Sequence, residues 1–347
     1  MVGSSEASAS WATLRATRSN PPAAAAEDRA RRATYVSALE QAEQLFKAAS
    51  VVGPATAPVL LYYGLSQAGR AVIAAASSVR DDWRLTGHGI KLGNLTSSLP
   101  SIPVYADGAR GSFFRLSEVL ESPTWGKSHA IGLSQLWDAL PEAAEWPIQD
   151  DTDRRPAHRL EYHRYEQQHP LLSMAVCNLP PRLTQSAFPG VDLRTYLSSY
   201  PTLGAYEYVK ASSNPDSPPD FLLYQNGHAE LNVNVVVDGG GQTTEARRRA
   251  LFQQIGSRHG TAYEDFYLVP AIGNNNRPMH PLMTWWAVLY TLSMLARYQP
   301  AEWSEYVDVD RSSFAVSIEQ ILSAALVVVP ELIAVTIGDV REQAPTS

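Results

Sequence analysis

Apolar positions recur with a helical period at both ends of the chain and with shorter, strand-like spacing in the middle. Residues 27–49 place Tyr35, Leu39, Ala42, Leu45 and Phe46 on one face with charges between them, which predicts an amphipathic helix. After Gly53 and Pro54, residues 57–78 carry small and apolar side chains on nearly every face. This is the pattern of a helix buried on most sides, and Gly64 and Gly69 let neighbours approach it closely. At the other end, residues 281–298, 301–307 and 312–329 read as helices, the last expected to stop at Pro330.

Between these ends the pattern fragments. Residues 101–108 and 111–116 look like short extended pieces, 132–140 a short helix, and 150–169 an exposed linker or surface helix. Residues 203–212, 220–226 and 228–238 cluster β-formers between turn signals and predict a small antiparallel meander. Gly239, Gly240 and Gly241 end it, a helix capped by Thr243 or Thr244 runs on to about 260, and residues 265–273 add a strand. The fold class is α+β: a mainly helical bundle from both chain ends with a small, mostly antiparallel β-sheet in the middle. The expected organisation is a disordered arm over 1–26, a helical part over 27–150, a charged linker and α+β part over 151–275, and a C-terminal helical part over 276–340 that packs on the N-terminal helices.

Composition narrows this picture. With 347 residues, 45% of them hydrophobic, the chain can bury a core without covalent staples, and the single cysteine, Cys177, has no disulfide partner. A reducing, cytoplasmic setting is expected. The 28 Lys and Arg against 35 Asp and Glu give a net charge of −7, which excludes a general polyanion-binding surface and leaves room for a focal one. The first 26 residues, rich in Ser and Ala, lack the apolar core of a secretory signal. The stretch from Leu282 to Ala296 is too short to cross a bilayer, so no membrane association is expected.

Two blocks resemble the YaaC-like family, bacterial proteins of largely unassigned function. One is Tyr62-Tyr63-Gly64-Leu65-Ser66-Gln67-Ala68-Gly69-Arg70-Ala71 followed by Gly87-His88-Gly89. The other is Pro281-Leu282-Met283 leading to Leu292-Ser293-Met294-Leu295-Ala296-Arg297-Tyr298, with Pro300 and Trp303 beyond. Together they span roughly residues 55 to 305, and Arg70 stands where the family commonly has lysine. The resemblance implies a bacterial cytosolic protein and a kinship with HEPN-like helical domains, many of them ribonucleases or inert partners in toxin and phage-defence modules.

The chemistry on offer is sparse. HEPN-type ribonucleases pair an Arg with a His a few residues on; Arg164 and His169 have a four-residue gap, whereas Arg84 and His88, Arg154 and His158, and Arg159 and His163 have three. The catalytic candidates are therefore Arg84, His88, Arg164 and His169. Arg70 and Arg297 lie on apolar helices, where a guanidinium needs a partner: a carboxylate such as Glu302 or Asp265, or an anion bound jointly with His88. His158, His163 and His169 are spaced wrongly for one helix face, so no metal is expected. Asp238 to Thr244 lacks the P-loop lysine, Ser66 lacks a nucleophile elbow, and Arg247, Arg248 and Arg249 read as a solvated helix face. No cofactor is implied. The expected function is that of a non-catalytic accessory or interaction protein, in a bacterial defence or stress module, with a metal-independent ribonuclease or toxin as the alternative. A protein partner is expected, RNA is the other candidate, and self-association into a homo-oligomer is compatible with the sequence.

Overall fold

The computed structural model describes residues 2–80, 83–106, 111–126, 128–149, 154–162, 172–184, 189–203, 221–223, 229–233, 257–259 and 265–342. The chain divides into two compact units, one made of residues 1–152 with 279–347 and the other of 153–278.

The first unit is helical. It contains α1 (Val2–Ser19), α2 (Ala23–Ala26), α3 (Arg29–Ala49), α4 (Ala57–Ala75), α5 (Ser112–Val119) and α6 (Leu133–Asp138), joined by α9 (Pro281–Tyr298), α10 (Pro300–Tyr306) and α11 (Ala315–Glu342) from the far end of the chain. Helix α4 is the centre, packing on α3, α9 and α11. Its glycines do what their positions predict: a Cβ on Gly64 would lie 2.6 Å from Phe46 Cδ2, and one on Gly69 would lie 2.6 Å from Trp286 Cζ3. A small sheet of β1 (Ile90–Leu92), β2 (Pro103–Ala106) and β3 (Ile131–Gly132) is antiparallel throughout.

Three expectations fail in this unit. The 26-residue arm is instead ordered as α1 and α2: Trp11 (6% exposed) and Leu14 are buried, Trp11 meets the Phe46 ring with centroids 5.5 Å apart, and Arg18 pairs with Glu40 at 2.7 Å. Arg15 also pairs with the buried Glu43 carboxylate. One apolar turn among Ser and Ala is a weak sequence signal, yet it is enough to dock a helix. Residues 112–116, read as extended, begin α5. Pro330 does not stop α11, although proline inside a helix costs about 3 kcal/mol. Ile318, Ile321, Leu322, Ala325 and Val329 before it and Leu332, Ile333, Ile337 and Val340 after it are all buried, so packing on both sides outweighs the lost hydrogen bond. Among the described residues α11 is the helix long and apolar enough, by length and composition, to cross a membrane, and half of its apolar window is buried.

The second unit holds a six-stranded antiparallel sheet of β4 (His158–Tyr162), β5 (Leu172–Val176), β6 (Phe221–Leu223), β7 (Ala229–Val233), β8 (Ser257–His259) and β9 (Asp265–Leu268), in the order β6-β7-β5-β4-β9-β8. Leu160 stands opposite Val176 on one side and Phe266 on the other, and His158 opposite Leu268. Helices α7 (Pro181–Thr184) and α8 (Pro189–Leu197) accompany it. Residues 158–162 were expected in a linker or surface helix, and 257–259 in the tail of a helix; both are strands because each finds β9 as a pairing partner. Residues 204–212, the triple glycine, Thr243, Thr244 and Arg247 to Arg249 lie outside the described residues.

Candidate functional site

The loop that leaves α4 is shaped by two glycines with left-handed backbones, Gly87 (φ 64°) and Gly89 (φ 72°), a region closed to most side chains. It runs against the start of α5 so tightly that a Cβ on Gly111 would lie 2.0 Å from Gly89 Cα. The first amides of α5 have no partners of their own helix, and the loop supplies them: Ser112 N and Oγ donate to the Gly87 carbonyl at 3.3 and 2.7 Å, and Phe113 N donates to the His88 carbonyl at 2.9 Å. The backbone of His88 is thereby fixed.

Its ring is fixed as well. His88 Nδ1 lies 2.9 Å from the hydroxyl of Tyr62, a buried residue of α4. Tyr290 of α9 contacts both rings, at centroid distances of 5.2 Å to Tyr62 and 5.8 Å to His88, and Trp286 stands edge-on to Tyr62 at 6.1 Å. Burial raises the Tyr62 phenol well above its usual range, with Tyr290 and Tyr63 adding to the rise, so it keeps its proton. His88 itself is exposed, and its Nε2 has no hydrogen-bond partner among the described residues.

Two arginines flank the ring. Arg70, half-buried on α4, donates from Nη1 to the Leu85 carbonyl at 2.8 Å. Arg297, exposed on α9, donates to Tyr63 Oη at 2.9 Å and to Tyr298 Oη at 3.1 Å, and lies over the Tyr298 ring at 4.9 Å. Neither meets a carboxylate among the described residues. The expected ion pair to Glu302 is replaced by carbonyl and hydroxyl partners, because both side chains reach partly or fully into solvent; the Asp265 side chain lies outside the described residues. Desolvation pushes the His88 imidazole below its ordinary value, and the positive charges of Arg297 and then Arg70 push the same way. All three causes disfavour the charged ring.

The structure thus brings Arg70, His88 and Arg297 into one electrostatic neighbourhood. Arg84 is exposed with its guanidinium over the Trp83 ring at 5.0 Å, and the charges that act on His88 are those of Arg297 and Arg70. Arg164 and His169 lie outside the described residues, as does His163. His158 is 1% exposed, with Nδ1 2.9 Å from the Cys177 carbonyl and Nε2 2.8 Å from Tyr196 Oη. Among the described residues no cluster of three His, Cys, Asp or Glu could hold a metal.

Sequence reasoning missed two things. Tyr62, Tyr63 and Tyr298, whose hydroxyls meet His88 or Arg297, and Tyr290, which packs on the His88 ring, were given no role in the site. Among the described residues the arginine that is buried is Arg31 of α3, 3% exposed. It donates to the carbonyls of Ala74, Val79, Ala76 and Ile73 at 2.8, 2.8, 2.7 and 3.4 Å, satisfying the C-terminus of α4. Its position four residues before Tyr35, on the apolar face, was the available signal.

A family model described as YaaC-like Protein matches residues 3–337, nearly the whole chain. No curated protein and no solved structure matches it.

Proposed function

The chain belongs to the YaaC-like family, and from that premise we propose that it is a non-catalytic accessory protein that binds a phosphoryl oxyanion on the patch of Arg70, His88 and Arg297. The observation that carries this reading is that two guanidiniums held by carbonyl and hydroxyl partners, without carboxylate partners among the described residues, flank one exposed imidazole and disfavour its charged form. Each arginine keeps donors beyond those its carbonyl or hydroxyl partners use, and planar guanidinium donors match the oxygens of phosphate. A focal patch on a chain of net charge −7 suits a single phosphoryl group better than an extended phosphate backbone. The phosphoryl group belongs to a partner or a small molecule; a place in a defence or stress module rests on the resemblance alone.

Titration with inorganic phosphate, followed by calorimetry or NMR, tests the reading. Saturable binding by the wild-type protein is expected, weakened about tenfold or more by Arg297→Ala and by Arg70→Ala, since charge-assisted hydrogen bonds contribute about 1.5–3 kcal/mol each. Absence of saturable binding, or affinity unmoved by both changes, rejects it.

A second reading has its own support. An Nε2 without a partner among the described residues, on a histidine held by its backbone, suits proton transfer, which is what a HEPN-like, metal-independent ribonuclease using Arg84 and His88 requires. It predicts RNA cleavage by the purified protein in the presence of chelator, abolished by His88→Ala.

A further inference from the structure

We infer that Tyr62 donates its hydroxyl proton to His88 Nδ1 and so holds His88 in its Nε2–H form, making it a neutral hydrogen-bond donor to a phosphoryl oxygen rather than a proton acceptor. The inference deepens the proposed anion site and rests on it only for the identity of the ligand.

A neutral imidazole has one N–H and one lone pair, and the partner of one nitrogen decides what the other offers. His88 Nδ1 sits 2.9 Å from Tyr62 Oη, so one of the two atoms donates. A phenol is the better donor and an imidazole lone pair the better acceptor, which favours Tyr62 O–H to Nδ1. The surroundings of Tyr62 point the same way. Tyr62 is buried and its hydroxyl has no other hydrogen-bond partner among the described residues, so a proton not given to Nδ1 would be stranded in the interior. The chain therefore runs from Tyr62 O–H to His88 Nδ1 and ends in an Nε2–H at the exposed side of the ring.

The consequence is specific to function. Proton abstraction at the surface needs a lone pair on Nε2, and this arrangement puts an N–H there. Beside Arg70 and Arg297 it completes a set made wholly of donors, matched to a ligand whose oxygens only accept, such as the ionised phosphoryl group of a phosphate ester. Tyr62 is a positioning residue in this scheme and touches no ligand.

The test is ¹⁵N NMR of the histidine side chains in the full-length protein near neutral pH, with the His88 signals identified by their loss in His88→Gln. A lone-pair nitrogen at Nδ1 and a protonated Nε2 are expected. Inorganic phosphate is then titrated into variants. His88→Gln, which places an amide N–H near the Nε2 position, should bind within about twofold of wild type, whereas His88→Asn and Tyr62→Phe should each weaken binding about fivefold, the net value of one hydrogen bond. A wild-type His88 protonated at Nδ1 overturns the inference whatever the variants do, so misfolding of Tyr62→Phe does not blunt the test. The Nε2–H form without any phosphate binding leaves the tautomer assignment standing and removes the anion site instead.

Discussion

His88 and His158 make the same bond and serve different ends. Each lies within 3 Å of a tyrosine hydroxyl, and each is held below its ordinary pKa first by desolvation and then by nearby arginines. In the second unit both nitrogens of His158 are used: Nδ1 donates to the Cys177 carbonyl, which can only accept, and Nε2 accepts from Tyr196. Tyr200 closes the group by donating to the Pro156 carbonyl at 2.7 Å. In the first unit one nitrogen of His88 is used and the other is presented. The difference shows that a tyrosine-held histidine is a strut when its second nitrogen is spent and a recognition element when it is not.

The sharpest way to break this comparison is to remove each ring. His158→Ala should destabilise the unit of residues 153–278 by about 3–4 kcal/mol, because it opens a cavity and removes two buried hydrogen bonds; His88→Ala should cost under about 1 kcal/mol, as expected of an exposed side chain. Urea unfolding followed by hydrogen exchange in each unit measures both. Equal losses would erase the distinction.

Acid gives the next largest effect. The native pKa of His158 is pushed down to about 4, against about 6.5 in the unfolded chain. Between those values only the unfolded state takes up the proton, so stability falls as pH drops from about 6.5 to about 4, by about 3 kcal/mol, and this contribution is flat below. The measurement is the urea midpoint against pH for wild type and for His158→Gln, which should lack that slope. A smaller effect comes from Tyr196→Phe, which leaves His158 Nε2 unpaired in the interior and should cost about 1–3 kcal/mol by thermal or urea unfolding. Tyr62→Phe, whose His88 partner can turn to water, should cost less than Tyr196→Phe in the same assay.

The sequence made the first unit legible where periodicity and burial agree. Helices α3, α4 and α9 follow from spaced apolar residues, and Gly64 and Gly69 announced the close approach of Phe46 and Trp286. Trp11 and Leu14 gave too little apolar signal to announce α1, and Pro330 gave too strong a stop signal, because neither reading can see the tertiary surface that receives the helix. Of the site, Arg70, His88 and Arg297 were nameable from their odd settings. Their partners were not, since a tyrosine on an apolar helix looks the same whether its hydroxyl is idle or holds a histidine. His158 shows the limit most plainly: it sat in a charged stretch that suggested solvent, and strand pairing with β9 turned it inward.

The way α4 is finished has a consequence in time. Arg31 satisfies its last carbonyls, but α9 and α11, which cover its flanks, begin about 200 residues further on, and Ser77 at the exit of α4 donates to the carbonyl of Val340. At roughly 5–20 residues per second, a ribosome needs about 10–40 s to reach α9 after releasing α4. Through that interval one of the greasiest helices of the protein has only α2, α3 and α5 of its helical neighbours for shelter, while the whole second unit is synthesised and free to fold. The nascent chain is thus exposed at its centre before it is complete, and the guanidinium of Arg31, present from the first seconds, is what can keep the end of α4 wound until the rest arrives.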